Sequence, residues 1–290
     1  MKVYVIGHRG WIGSQFIQLL KQFNISMILS QFRVENKKIY EDILQSSATH
    51  IFCCIGRTHG TFKGKYYPTI DYLEHNDTLS INLNDNLYSP LSLAMFCDKN
   101  NLHFTYIGTG CIFEYDQNHT QLNKNGFNED DNANFFGSNY SIVKGFTDRL
   151  MKQTNALNLR IRMPIISKNN PRNFITKIIN YEKICSMPNS MSVLDELLPV
   201  AIEMMKNNEK GTFNFTNEGT ISHNEILEMY KNIVDPSFTW KNFTIEEQDK
   251  ILLGKRSNNY LNTNKLYSKY GHLITNIHNA IRKCLLNWEK

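Results

Sequence analysis

The sequence has no uninterrupted apolar run long enough to span a bilayer, which requires about 20 residues. Its amino terminus, MKVYVIGHRG, also lacks the long apolar core and the small-residue cleavage site of a secretory signal. We therefore expect neither membrane insertion nor secretion, and we expect a cytoplasmic location.

Signals for a metal site and for disulfides are also missing. The six cysteines, at positions 53, 54, 97, 111, 185 and 284, include no CxxC pair, and no histidine cluster lies at zinc spacing. We expect free thiols in a reducing compartment and no metal. The net charge is +5, but lysine and arginine form no basic blocks with interleaved aromatics. The composition therefore favours small anionic ligands over nucleic acid.

The order of apolar segments indicates the fold class. Strand-like runs alternate with helical stretches at about 11–23, 79–96 and 138–153; the runs are KVYVIG, SMILS, THIFCCIG, LHFTYIGTG and LNLRIRMP. This alternation predicts a doubly wound α/β fold with a parallel sheet. Residues 1–165 would form a Rossmann domain that binds the cofactor, and residues 166–290 a smaller, mainly helical substrate-binding part. The segment 211–217 could add a strand to the main sheet, and SHNE (222–225) predicts a helix with a capping box.

A glycine-rich turn, GHRGWIG, follows the first strand and opens the first helix. Its glycine spacing fits a turn that lets the backbone approach a pyrophosphate at a helix amino terminus, although such a turn can also hold no ligand. We predict that the turn contacts a dinucleotide through Gly7, Arg9, Gly10, Trp11, Ile12 and Gly13.

The residues after the second strand bear on which dinucleotide binds. Where an acidic side chain would contact the ribose diol of NAD, the sequence reads LSQFRVEN, with Ser30 and Arg33. Arg33, together with Arg9, could pair with a 2′-phosphate, so NADP(H) is favoured over NAD(H). The alternative is that Arg33 is a solvated surface charge.

The segment YSIVK places Tyr140 and Lys144 on one face of a helix. There the ammonium of Lys144 can lower the pKa of the phenol and hold a nicotinamide ribose. A YxxxK match is weak by itself, since about one is expected by chance, and a packed amphipathic helix would also explain it. Its position after the strand that bears Thr109 favours Tyr140 as proton donor to a carbonyl, with Thr109 as its hydrogen-bonding partner.

The segment GTGCIFEYD (108–116) ends that strand with a hydroxyl and, two residues later, a thiol. If the strand continues, Thr109 and Cys111 face the same pocket. Taken alone, Cys111 is more simply a small buried hydrophobe, as free cysteines usually are. We expect Glu114 and Asp116 to be hydrogen-bonding groups at the strand end rather than catalysts.

Longer strings carry a resemblance to a known family. GWIG, GCIFEYD, RMPI, NPRNFITKI, PNSM, LDELLP, SHNEILEMY, DPSFTWKNFT and RSNN, spread over 10–259, resemble the bifunctional 3,5-epimerase/4-reductases that make UDP-L-rhamnose in plants. The resemblance is weakest at 56–74, where the plant loop is shorter and different. The background rich in Asn, Lys and Ile is typical of an AT-rich genome and suggests the giant-virus version of the family.

The resemblance implies a reaction in two stages. UDP-4-keto-6-deoxy-D-glucose would be epimerised at C3 and C5 and then reduced at C4, with NADPH as hydride donor. Epimerisation needs a base and an acid beside each carbon, which reduction alone does not. Thr109, Tyr140 and Lys144 account for reduction. Cys111 and Lys177 of NFITK form a candidate second acid/base pair, to which the resemblance also points.

Which member of that pair accepts the proton is open, and Lys177 could also be an exposed helical lysine. Candidate contacts to the cofactor at strand and helix ends are Gly56, Asn82, Pro164 and Ile165. Asn173 and Arg256 are candidate contacts to the sugar and the diphosphate, although each could be a cap, a turn residue or part of a surface ion pair.

Two other functions stay open. One is a monofunctional nucleotide-sugar 4-keto reductase, with epimerisation done elsewhere. The other is a dinucleotide-binding regulatory protein without turnover, against which the intact Thr109, Tyr140 and Lys144 argue. The sequence shows no 4,6-dehydratase segment, so we expect a separate dehydratase to supply the UDP-sugar. A homodimer is expected only by analogy with the superfamily.

Overall fold

A six-stranded parallel sheet forms the centre of the computed structural model, which describes residues 1–123 and 125–289. In chain order its strands are β1 (Lys2–Ile6), β2 (Ser26–Leu29), β3 (His50–Cys53), β4 (Gly60–Phe62), β5 (Lys65–Tyr67), β6 (His103–Thr109), β7 (Leu157–Ile161) and β8 (Gly211–Asn214). The sheet order is β2-β1-β3-β6-β7-β8, and β4 pairs with β5 as a separate antiparallel hairpin. That hairpin lies in the segment of weakest family resemblance and was not expected.

Helices cover both faces of the sheet. They are α1 (Trp11–Gln22), α2 (Lys38–Gln45), α3 (Leu79–Leu83), α4 (Ser89–Lys99), α5 (Asn139–Met151), α6 (Phe174–Ile179), α7 (Leu194–Lys206), α8 (His223–Ile233), α9 (Ile245–Asp249), α10 (Asn264–Tyr270) and α11 (Ile277–Leu286). A π-helical turn, Asn84–Tyr88, joins α3 to α4. Within the described ranges, none of the helices has the length and apolar character needed to cross a membrane.

The strands of the main sheet are mostly buried because both faces of the sheet are covered. Val3 and Val5 of β1 pack with Phe16 of α1 in one core. Tyr4 and Ile6 of the same strand belong to the other core, with residues of α2 and α4. Alternate residues enter opposite cores, as the pleat requires. This arrangement confirms the doubly wound α/β fold.

A third core lies among the helices that follow β7. It includes Ile175 of α6, Ile226 of α8 and Ile281 of α11. β8 nevertheless pairs in parallel with β7, so residues 211–214 belong to the main sheet. The predicted division of the chain at residue 165 stays a prediction. Helix α8 begins with the expected capping box, in which Ser222 and Glu225 each bond the other's backbone.

Two ion pairs join different elements of the fold. Arg160 of β7 is fully buried, with Nη2 2.7 Å from Oδ2 of Asp148 in α5. Arg256 pairs with Asp71, whose Oδ1 also accepts a hydrogen bond from the backbone N–H of Gly254. Asp71 lies in the short helical turn Ile70–Glu74 between β5 and α3, so this second pair fastens the carboxy-terminal segment to that turn.

Candidate active site

A cavity of about 450 Å³ opens at the carboxyl ends of β1, β3, β6 and β7. The strand order reverses between β1 and β3, and ligands of doubly wound sheets bind at such a point. The predicted site residues that line the cavity are Gly10, Trp11, Ile12, Gly13, Gly56, Thr109, Cys111, Tyr140, Lys144, Pro164, Lys177 and Arg256. The predicted cofactor turn and the predicted acid/base groups therefore share one cavity.

The glycine turn between β1 and α1 has no space for a side chain at Gly7 or Gly13. Gly7 has a φ of +84°, which favours glycine. A Cβ atom on Gly13 would lie 2.4 Å from the carbonyl oxygen of Gly7 and 2.8 Å from the Cα of His8. The N-cap of α1 is Gly10, and no side chain caps the helix. The first backbone N–H groups of α1 are therefore available to an anionic group such as a pyrophosphate.

Thr109, Tyr140 and Lys144 reach the cavity from β6 and α5. Burial raises the pKa of Tyr140, the Cys111 thiol adds to this, and a hydrogen bond with Thr109 opposes it. The expectation that Lys144 lowers the Tyr140 pKa is wrong, because burial dominates and the Lys144 Nζ donates to the hydroxyl of Tyr106 instead. That Nζ also lies 4.5 Å from the Tyr106 ring centroid. Burial lowers the pKa of Lys144 itself to about 8.

Cys111 lies just after β6 and not within it. The strand ends at Thr109, whose Oγ1 accepts a hydrogen bond from the Cys111 N–H at 3.1 Å. The expectation that strand alternation aligns the two residues is wrong, because the chain bends at Gly110, but both residues line the same cavity. In the loop that follows, Asp116 accepts two backbone hydrogen bonds, as expected of a structural residue.

Lys177 reaches the cavity from α6. Burial, together with the positive charges of Arg172 and Arg256, lowers the Lys177 pKa to about 8. A lysine in this range can accept as well as donate a proton near neutral pH. The cavity therefore holds a thiol and a titratable amine in addition to the Tyr140 phenol.

Arg256 also lines the cavity, but its guanidinium is engaged by neighbouring groups. Nη2 lies 2.6 Å from Oδ2 of Asp71, and Nη1 donates to the Gly254 carbonyl at 2.6 Å. Burial would raise the pKa of Asp71, but the ion pair and hydrogen bonds from Thr69 and Gly254 outweigh it and hold that pKa below its usual value. The contact of Arg256 with a diphosphate stays a prediction.

Other predicted contacts lie outside the cavity wall, namely Gly7, Arg9, Arg33, Asn82, Ile165 and Asn173. Asn173 is fully buried; its amide donates to two backbone carbonyls at 2.7 Å, and its oxygen caps α6. Asn82 and Ile165 are also fully buried, whereas Arg9 is exposed. In this structure the buried residues support the wall from behind, and their contacts with ligands stay predictions.

Arg33 lines a second cavity, of about 410 Å³. Arg57 shares that cavity, and its Nε lies 2.8 Å from Oδ2 of Asp85. Glu35 and Asp85 also line this cavity, so carboxylates partly balance its two guanidinium groups. The assignment of Arg33 to a 2′-phosphate stays a prediction, and Arg57 is a neighbour that sequence reasoning missed.

The residues of the main cavity wall that sequence reasoning missed include His59, Arg172 and Tyr181. His59 lies in the segment of weakest family resemblance. Arg172 lies in NPRNFITKI, the same string as Lys177, so its proximity to the site was a usable signal. Burial, with the charges of Arg172, Arg57 and Lys177, lowers the pKa of His59 to about 4. His59 is therefore neutral at physiological pH.

The charged side chains of the main cavity are all of one sign at neutral pH. They are Lys144, Arg172, Lys177 and Arg256, and no Asp or Glu occurs among the described residues of its wall. Such a wall attracts anionic ligands. The site is therefore suited to molecules that carry phosphate groups.

Comparison with known proteins agrees with this chemistry, although no protein-family model matches the chain. The crystal structure of the L780 UDP-rhamnose synthase from Acanthamoeba polyphaga mimivirus is 48% identical, with a TM-score of 0.94 and 99% of both chains covered. A bifunctional dTDP-4-dehydrorhamnose 3,5-epimerase/dTDP-4-dehydrorhamnose reductase from Arabidopsis thaliana is 44% identical over 93% of this chain and 88% of its own.

A third relative is the Arabidopsis thaliana trifunctional UDP-glucose 4,6-dehydratase/UDP-4-keto-6-deoxy-D-glucose 3,5-epimerase/UDP-4-keto-L-rhamnose-reductase RHM2, which is 43% identical over 99% of this chain. The chain spans 42% of the length of RHM2. These similarities confirm the resemblance seen in the sequence strings, and the mimivirus relative agrees with the giant-virus version suggested by the composition. The chain belongs to the family of rhamnose-forming 3,5-epimerase/4-reductases.

Proposed function

We propose that the protein converts UDP-4-keto-6-deoxy-D-glucose to UDP-L-rhamnose by epimerisation at C3 and C5, followed by NADPH-dependent reduction of the C4 ketone. The observation that carries this proposal is the meeting of Thr109, Tyr140, Lys144, Cys111 and Lys177 in one cavity beside the glycine turn. Membership of the epimerase/reductase family supports it.

Reduction needs a hydride donor and a proton donor. NADPH supplies the hydride, and the uncapped first turn of α1 fits its pyrophosphate. Tyr140 donates the proton to the C4 oxygen, because its raised pKa keeps the phenol protonated near neutral pH. Thr109 hydrogen-bonds Tyr140, and Lys144 holds the nicotinamide ribose.

Epimerisation uses the acidity that the C4 carbonyl gives to C3 and C5. A base removes the proton from one face of the carbon, the negative charge moves to the C4 oxygen, and an acid returns a proton to the other face. Thr109 and Tyr140 stabilise that oxygen by hydrogen bonding. Cys111 and Lys177 exchange the carbon-bound protons, and a Lys177 pKa of about 8 suits both directions of transfer.

Solvent exchange tests this proposal before any hydride moves. The protein is mixed with UDP-4-keto-6-deoxy-D-glucose in D₂O without NADPH, and the C3 and C5 protons are followed by NMR. We expect these signals to disappear with wild type and to persist far longer with Cys111→Ala. Cys185→Ala is the matched control, because Cys185 is a buried thiol that lines the same cavity and has no assigned role.

The same experiment separates the alternatives. Unchanged signals, followed by simple C4 reduction when NADPH is added, would leave a monofunctional 4-keto reductase. Absence of both exchange and NADPH oxidation would favour a dinucleotide-binding regulatory protein. Equal exchange in wild type and Cys111→Ala would remove Cys111 from the mechanism while leaving epimerisation in place.

The proposal extends to partners and location. A separate 4,6-dehydratase supplies the keto-sugar. In the longer RHM2 chain, a UDP-glucose 4,6-dehydratase is one of the three named activities. A homodimer is supported by exposed apolar side chains on α4 and α5, with Met95 65%, Phe146 57% and Leu150 45% exposed. Sedimentation equilibrium of wild type and Phe146→Ser would test it. Six unpaired cysteines fit the reducing cytoplasm of a host cell.

A further inference from the structure

Arg172 is a half-buried cation at the cavity wall with no acidic partner. Burial lowers its pKa, yet a guanidinium stays charged at neutral pH. Its Nη2 donates to the Tyr66 hydroxyl of the β4–β5 hairpin at a long 3.3 Å. No carboxylate among the described residues lies within ion-pair distance of Arg172, in contrast to Arg57, Arg160 and Arg256. A partly desolvated charge without a counter-ion is unfavourable until an anion arrives.

The backbone that carries Arg172 is held in place. Its N–H donates to the Asn170 side chain at 2.9 Å. The next residue is Asn173, whose buried amide bonds the carbonyls of Ile166 and Lys168. This anchored backbone places the guanidinium at the wall of the cavity that it lines. A fixed backbone with an unpaired guanidinium is the arrangement expected of an anion-binding residue.

Neighbouring groups add to the positive potential around Arg172. Its charge acts on both His59 and Lys177, which line the same cavity. His59 is neutral and so adds no charge, but its ring N–H can donate a hydrogen bond to an anion. Arg256, the residue first considered for a diphosphate, already has a carboxylate of its own. The unsatisfied charge is therefore on the α6 side of the cavity.

We propose that Arg172 binds the diphosphate of the nucleotide-sugar substrate, with His59 beside it, and that Arg256 shapes the wall through Asp71 without binding the phosphates. This assignment rests on the proposed function, since it takes a nucleoside diphosphate sugar as the ligand. It gives α6 and the residues just before it two tasks: Arg172 holds the substrate by its phosphates, and Lys177 contacts the sugar.

Titration calorimetry with UDP, on the full chain saturated with NADP⁺, tests the assignment without any turnover. We expect Arg172→Gln to weaken UDP binding roughly tenfold to a hundredfold, the effect of losing charged hydrogen bonds, and Arg172→Lys to weaken it less. Uridine, which has no phosphate, should bind wild type and Arg172→Gln equally. Arg282→Gln is the matched control, because Arg282 is exposed on α11 and does not line the cavity.

The outcomes separate this inference from the proposed function. If Arg172→Gln binds UDP as wild type does, or loses NADP⁺ instead, the inference is overturned and the proposed function stands. If wild type binds neither UDP nor uridine, the proposed function fails with it. Unchanged melting temperatures for the variants would show that the losses come from the site and not from unfolding.

Discussion

Replacing Gly13 by alanine should deform the cofactor-binding turn and weaken cofactor binding, while the rest of the fold is kept. The new Cβ would meet two backbone atoms, the Gly7 carbonyl oxygen at 2.4 Å and the His8 Cα at 2.8 Å, and the Cys54 Sγ at 2.9 Å. Ordinary contacts begin at 3.4 Å, so the carbonyl must retreat by about 1 Å. Because backbone atoms cannot move aside by a change of side-chain rotamer, the turn that faces the pyrophosphate must deform.

The size of the effect follows from that deformation. Overpacking of this kind costs about 1–3 kcal/mol. If the native turn must be restored for NADPH to bind, the same energy weakens the affinity by roughly 5- to 150-fold. Fluorescence titration of Gly13→Ala with NADPH measures the loss, and thermal unfolding measures how much of the strain is already present in the free protein.

Gly271→Ala is the control for Gly13→Ala. Its Cβ would approach a side chain, the Tyr267 ring at 3.1 Å, and Gly271 lies at the end of α10 away from the cavity. We expect NADPH affinity close to that of wild type for this variant. Wild-type affinity together with an unchanged melting temperature in Gly13→Ala would refute the reasoning, since the turn would then have room for a side chain.

Two further predictions concern stability. Asp148→Asn leaves the buried Arg160 without its anionic partner and should lower the free energy of unfolding by about 3–5 kcal/mol. Glu203→Gln breaks an exposed pair and should change the free energy of unfolding by less than about 1 kcal/mol. Denaturant titration measures both, and equal losses would contradict the prediction. Lys144 has a pKa of about 8 when folded and 10.5 otherwise, so the unfolded chain binds more protons between these values and stability should rise with pH there. Denaturant titrations between pH 8 and 10 should show the free energy of unfolding of wild type rising by roughly 1 kcal/mol per pH unit relative to that of Lys144→Met. Parallel plots of unfolding free energy against pH for the two proteins would contradict the prediction.

Features set by local sequence could be predicted well. The alternation of apolar strands and amphipathic helices gave the doubly wound sheet, and the Gly7–Gly13 spacing located the turn at the end of β1. Thr109, Tyr140 and Lys144 meet because strand ends and helix faces follow from short periodicities. The common cavity also contains Cys111 and Lys177, although their roles stay predictions.

Features set by distant partners could not be predicted. Whether Arg256 is free depends on Asp71, and nothing near Arg256 in the sequence identifies that partner. Asn173 reads as a plausible sugar contact, yet its amide is engaged by carbonyls that only the folded loop brings close. Lys144 meets Tyr106 because β6 passes beneath α5, an arrangement of tertiary packing. The β4–β5 hairpin has short, polar strands and therefore no clear apolar alternation.

The pairing of Asp71 with Arg256 also has a consequence for synthesis of the chain. These residues are separated by 185 positions, and ribosomes add about 5–20 residues per second. Arg256 is therefore synthesised roughly 10–40 s after Asp71, and until then Asp71 cannot form this ion pair. During that interval the nascent chain can form β1, β3 and the glycine turn. It still lacks the part of the cavity wall that residues 256–258 provide. The site becomes complete only when the final tenth or so of the chain is being translated, because Arg256, Ser257 and Asn258 belong to the cavity wall.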